Sequence, residues 1–177
     1  MSVERPWRTI IGWREASAAG LKIIVSPQGG DLAAVAAEIG VEEVVSLEAS
    51  LVVRRWLDDM EVTGEMRAVV TRICGITLDT FDETIDEPLF LRFVPAGSPH
   101  ATPAEAREII VDPGEPDPPE AVAGGGVDLA VVLTEQLALA LDPFPRKPGA
   151  RFEPAGGEAE FSPFAALARL KDDLTKS

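Results

Sequence analysis

The sequence predicts an α+β domain: an antiparallel sheet built on a three-stranded meander, curved toward a partly closed barrel, covered by two helices and followed by an extended C-terminal tail. Three observations carry this prediction. From Val44 to Val94 apolar residues recur with a period of two, the strand spacing. Two separate stretches, 31–40 and 128–141, show helical spacing between capping residues. After Pro143 the chain turns to Pro, Gly and Glu and has little apolar surface to bury.

The first element is L21-K-I-I-V25, a short strand closed by Pro27 and the Gly29-Gly30 pair. A helix follows, with Asp31 as N-cap, Leu32, Val35, Ala36 and Ile39 on one stripe, and Gly40 at the left-handed C-terminal position. In the next strand Val45, Leu47, Ala49, Leu51, Val53 and Leu57 alternate with Ser46, Glu48, Ser50 and Arg54. In the one after, Val62, Met66, Ala68 and Val70 alternate with Thr63, Glu65, Arg67 and Thr71. The third sets Phe81, Ile85, Leu89, Leu91 and Phe93 against Asp82, Thr84, Asp86 and Arg92.

A turn about Asp58-Asp59 opposes residues 57 and 60, and a second turn centred near Leu78 opposes Arg72 and Ile85. Both set odd positions against even ones, so the apolar faces coincide. Residues 95–126 hold seven prolines and read as a Pro-rich loop, with a short helix behind Thr102, Pro103 and Glu105 and a brief I109-I-V111. Asp128 caps a second helix, whose stripe of Leu129, Val132, Leu133, Leu137 and Ala140 is expected to cover the meander. This makes residues 1–142 one domain. Residues 143–177 form the tail, which closes in a short helix at S162-P-F-A-A-L-A-R-L-K171.

Thirty acidic residues against 16 basic ones give a formal net charge of -14. Such a field repels phosphate backbones at long range and attracts basic proteins. No apolar run approaches the roughly 20 residues of a membrane span, and M1-S-V-E-R-P-W-R8 lacks a signal-peptide layout, so a cytoplasmic location without membrane contact is expected. A lone Cys74 permits no internal disulfide.

One cysteine and one histidine are too few for a structural zinc site. A nucleophilic Cys74 would need His100 as its base, which keeps a small hydrolase as an alternative. Cys74 nonetheless lies in phase with Met66, Ala68 and Val70, as a buried small hydrophobe does. Asp82 and Asp86 belong to a solvated strand face, and G124-G-G126 lacks the Lys and Ser/Thr of a phosphate loop. No catalytic or metal residue, cofactor or small-molecule substrate is expected. Arg55, Arg72, Glu83 and Glu87 fall in phase with the apolar set and are candidates for structural ion pairs, with Arg72 diagonal to both Glu83 and Glu87.

The ordered set R72-I-C-G-I-T-L-D-T-F-D-E83, E87-P-L-F-L-R-F-V94, the helix from Asp128, P143-F-P-R-K-P-G149 and S162-P-F-A-A-L-A-R-L-K171 resembles the bacterial YceD family in its alphaproteobacterial form. That family is also called the large ribosomal RNA subunit accumulation proteins. The resemblance implies a cytoplasmic, non-enzymatic factor in large-subunit ribosomal RNA accumulation or processing, often encoded beside a ribosomal protein gene. Some relatives carry further cysteines near Cys74 and toward the C-terminus. Here Thr77 and the rest of the chain offer none. The implied partners are a basic ribosomal or assembly protein, large-subunit ribosomal RNA, or both, with Arg146, Lys147 and Arg151 as the candidate contact. The competing reading is a generic acidic protein-interaction module.

Overall fold

The structure, a computed structural model, describes residues 3–57, 59–101 and 118–152. In chain order its elements are β1 (Val3–Arg5), β2 (Ile10–Gly12), β3 (Leu21–Val25), α1 (Gly30–Ile39), β4 (Glu43–Trp56), β5 (Asp59–Ile73), β6 (Thr80–Pro95), β7 (Glu120–Val122), β8 (Gly126–Asp128) and α2 (Leu129–Ala140). The expected helix behind Thr102, the I109-I-V111 piece and the closing helix at 162–171 lie outside the described residues.

One sheet has the order β1-β3-β4-β5-β6-β7, with parallel pairing only at its two ends; β2 and β8 form a separate antiparallel pair. The sheet is open. The expected tendency toward barrel closure is not realised, because the two edges are three-residue strands that do not pair with each other.

β4, β5 and β6 run antiparallel to one another. Their registers differ from the sequence expectation by even steps. Trp56 faces Asp59 where residue 57 was expected to face 60, and Leu57 sits in the turn at φ 54. Arg72 faces Phe81 instead of Ile85, because the second turn is centred between Ile76 and Thr77, not near Leu78. An even slip leaves every side chain on its face, so the apolar sets still coincide. A bulge between Val44 and Ser46 does change the phase: Val44 turns inward and the expected core residue Val45 turns out. Leu57, also expected on the apolar side, is exposed in its turn.

The inward face carries Leu47, Ala49, Leu51 and Val53 from β4, Met60, Val62, Met66, Ala68 and Val70 from β5, and Ile85, Leu89 and Phe93 from β6, all buried. Gly64 interrupts this face for a reason. Its φ is 153, and a Cβ there would overlap the carbonyl oxygen of Ser50, so glycine alone allows β4 and β5 to approach this closely.

Two helices cover the face. α1 contributes Val35 and Ala36 and ends at Gly40, whose left-handed backbone donates to the Ala36 carbonyl. Its N-cap is Gly29 and not Asp31, which lies in the first turn, where a carboxylate favours the positive end of the helix. α2 starts as expected: the Asp128 side chain accepts from the Ala130 amide. Leu129, Leu133 and Leu137 are fully buried in one core with the residues of α1 and the sheet. β1, β2, β7 and β8 went unread in the sequence because three residues are too short to show a period.

Leu133→Asp places an unpartnered charge in this core, a change that costs several kcal/mol on the order of a small domain's whole stability. Cooperative thermal melting is expected to disappear. A wild-type melting curve for this variant would contradict the packing.

Candidate interaction surface and the Arg72–Cys74 corner

At the far end of β5 two side chains bind the sheet to the segment that follows α2. Arg72 is 8% exposed. Its guanidinium donates to a Glu83 carboxylate oxygen at 2.9 Å and to the backbone carbonyl of Asp142, just past the end of α2. A cation at that position also meets the negative end of the helix. Cys74 is fully buried two residues later, and its Sγ accepts from the Lys147 amide at 3.4 Å and the Ile76 amide at 3.5 Å. The Gly75 amide donates to the Pro145 carbonyl at 2.9 Å, and Lys147 Nζ lies 3.5 Å from Asp79.

Donors around a sulfur favour its ionised form. The hydroxyl of Thr77 is the largest influence on the Cys74 thiol, followed by the Thr77 amide. Burial opposes them, the amides of Lys147 and Ile76 add to them, and the outcome is a thiol lowered from 9.0 to about 6. The sequence pointed to burial and not to this. The legible trace is C74-G-I-T77, a turn that returns a hydroxyl to the sulfur, with Leu78 held at φ 61.

The opposite face of the sheet carries no helix among the described residues. Its side chains line up in rungs across the three long strands: Arg54, Glu61 and Arg92; Ser50, Glu65 and Pro88; Glu48, Arg67 and Asp86. Arg92 pairs with Glu61 at 3.2 Å, Arg67 with Asp86 at 3.4 Å, and the Thr71 hydroxyl donates to Asp82 at 2.7 Å. A hollow of about 440 Å³ lies at the middle rungs, lined by Glu48, Ser50, Glu65, Arg67, Asp86 and Glu87 among others. At one end Arg92 stacks on Trp56 at 4.5 Å and on the exposed Phe90 at 5.0 Å. Beside them His100 Nδ1 lies 2.7 Å from the buried carboxylate of Asp59.

The structure sorts the residues singled out in the sequence. Arg72 and Glu83 meet. Glu87 does not join them: it faces Met66, because the register of β5 and β6 is four residues from the expected one. Arg55 is in the inward phase but exposed near the end of β4, although Met60 across from it is buried. Arg146, Lys147 and Arg151 are all exposed. Cys74 and His100 stand near opposite ends of β5, on the order of 40 Å apart along the strand, which separates the dyad a cysteine hydrolase would need. Among the described residues no three His, Cys, Asp or Glu side chains converge in a way that could hold a metal ion.

Fold and surfaces together define an acidic α+β domain whose sheet, among the described residues, carries helices on one face only. The sequence profile of the family described as Large ribosomal RNA subunit accumulation protein YceD matches residues 62–171, and the chain belongs to that family. The match begins in β5 and takes in β6, α2 and the Arg72–Cys74 corner. No curated protein and no solved structure matches the chain. Among the described residues no helix is long and apolar enough to cross a membrane.

A thiol depressed in the folded state stabilises the protein above its unfolded value, and that contribution is lost as pH falls through about 6. Between these limits the unfolded chain holds a proton that the native chain does not, so stability rises with pH. The gap in Tm between wild type and Cys74→Ala is therefore expected to widen from pH 6 to pH 9. Thr77→Val should shrink it. Parallel pH profiles for wild type and Cys74→Ala would refute the ionised sulfur.

Proposed function

We propose that the protein is a non-enzymatic, cytoplasmic factor that supports accumulation of large-subunit ribosomal RNA by binding, and that its direct partner is a basic ribosomal or assembly protein held on the open sheet face. The observation that carries this reading is the charge of that face. Glu43, Glu48, Glu61, Glu65, Asp82 and Asp86 stand on it against Lys22, Arg54, Arg67 and Arg92, and each arginine faces at least one of the carboxylates. The excess is negative, as is the whole chain at -14. A partner of opposite sign gains in encounter rate and orientation. The stacked Trp56, Arg92 and Phe90 supply the aromatic and arginine character that concentrates binding energy at protein interfaces.

Direct RNA contact through Arg146, Lys147 and Arg151 is the second reading, favoured by their exposure at one segment. Lys147 weakens it, since its ammonium lies beside Asp79.

The two readings diverge in a depletion strain profiled on sucrose gradients. Loss of the protein should lower large-subunit ribosomal RNA. Re-expressed wild type and the Arg146→Glu, Lys147→Glu, Arg151→Glu variant should both restore it, whereas Glu48→Lys with Glu65→Lys should not. Salt-sensitive binding of the purified protein to a large-subunit RNA fragment, flattened by roughly one unit of slope per lost contact in the triple variant, would overturn the preference.

A further inference from the structure

β6 is sixteen residues long, but among the described residues its side away from β5 is paired only at 93–95, by β7. The backbone at 80–92 therefore presents a free edge. Two observations fix which groups it offers. The Ala96 amide donates to the Val122 carbonyl on the β7 side, so by the two-residue alternation of a strand the even-numbered residues turn their backbone groups that way. Pro88 belongs to the same even set, and a proline, having no N–H, fits a sheet only with its nitrogen on an unpaired side. The amides of Asp82, Thr84, Asp86, Phe90 and Arg92 and the neighbouring carbonyls thus form a ready template for one more strand.

We propose that this edge takes up an extended, basic segment of a protein partner by strand addition. This rests on the binding function proposed above and supplies its mode. The occupant follows from charge. Asp82 and Asp86 flank the edge on the open face and Glu87 on the other, with Glu83 taken up by Arg72 and Asp86 only loosely paired with the exposed Arg67, so an incoming strand meets carboxylates on both sides. A second copy of this chain would bring the same carboxylates and its own Pro88 to the contact, with a net charge of -14 on each molecule, which opposes self-pairing. Lysine or arginine side chains on an added strand reverse that sign, while its main chain supplies affinity that does not depend on sequence.

The test uses the full chain and a short end-blocked peptide of alternating Lys and Val, followed by fluorescence anisotropy and amide hydrogen exchange. Binding is expected to slow exchange at Thr84, Asp86 and Phe90 and to leave the amides of β4 unchanged. Two further peptides carry N-methyl groups on alternate residues, one on each set. A strand bonded along one edge tolerates one set, while the other should weaken binding at least about ten-fold through a few lost hydrogen bonds. Asp82→Asn with Asp86→Asn should weaken the parent peptide while retaining the wild-type melting curve. Equal binding of both N-methylated peptides, protection on β4 instead of β6, or no binding at millimolar peptide would each overturn strand addition. If those results came while wild type rescued ribosomal RNA and Glu48→Lys with Glu65→Lys did not, the mode would fall and the function would stand. Loss of rescue by Glu48→Lys with Glu65→Lys concerns only the open face.

Discussion

The three long strands are apolar on one side only, and the rest of the molecule answers the need to cover that side. Burying it requires two helices, and those helices must arrive from far apart in the chain: α1 from before the strands and α2 from after the Pro-rich stretch. Leu129, Leu133 and Leu137 close the core from above by close apolar packing. Arg72 adds a directional fastening to it, because a nearly buried guanidinium must be satisfied in place. It finds Glu83 across the sheet and the Asp142 carbonyl at the end of α2, and so fixes the helix relative to the strands. The sulfur of Cys74 extends the same fastening into residues 145–147 through the Lys147 amide.

The face-to-face logic of this arrangement was legible in the sequence and its register was not. Alternation says which side a residue takes, and the even slips at Trp56 and Arg72 leave that unchanged, so periodicity alone is blind to them. What distinguishes the registers is turn length. The second turn is closed by the Cys74 and Asp79 backbone bond and by Leu78 in a left-handed conformation that leucine rarely adopts, which no propensity rule selects. The bulge beside Val45 was hidden because Val44 and Val45 are the same residue type, and either could have faced inward. The ion pair of Arg72 with Glu83 could be drawn from phase, but Glu87 and Arg55 shared that phase and lie elsewhere. The hydrogen bond from the Lys147 amide to the Cys74 sulfur joins residues 73 positions apart in the chain, a relation that local pattern cannot express.

The same division separates function from scaffold. Among the described residues the helices cover one face, and on the other the long strands display most of their polar residues in ordered rungs. An acidic display of that kind repels the phosphates of RNA at long range, which is why the function proposed above for a member of this family runs through a basic protein. The segment with Arg146 and Lys147 also has a structural part: its backbone closes the corner around Cys74, and its lysine ammonium lies beside Asp79.

The most direct test of a protein partner on the open face is site-specific photocrosslinking in growing cells, with a photoreactive amino acid at Glu65 in the middle rung and, as a control, at Arg151. Glu65 is expected to crosslink to a basic protein of the large-subunit precursor, and Arg151 to yield little. Crosslinks to ribosomal RNA from Arg151, with none to protein from Glu65, would contradict a protein partner on that face.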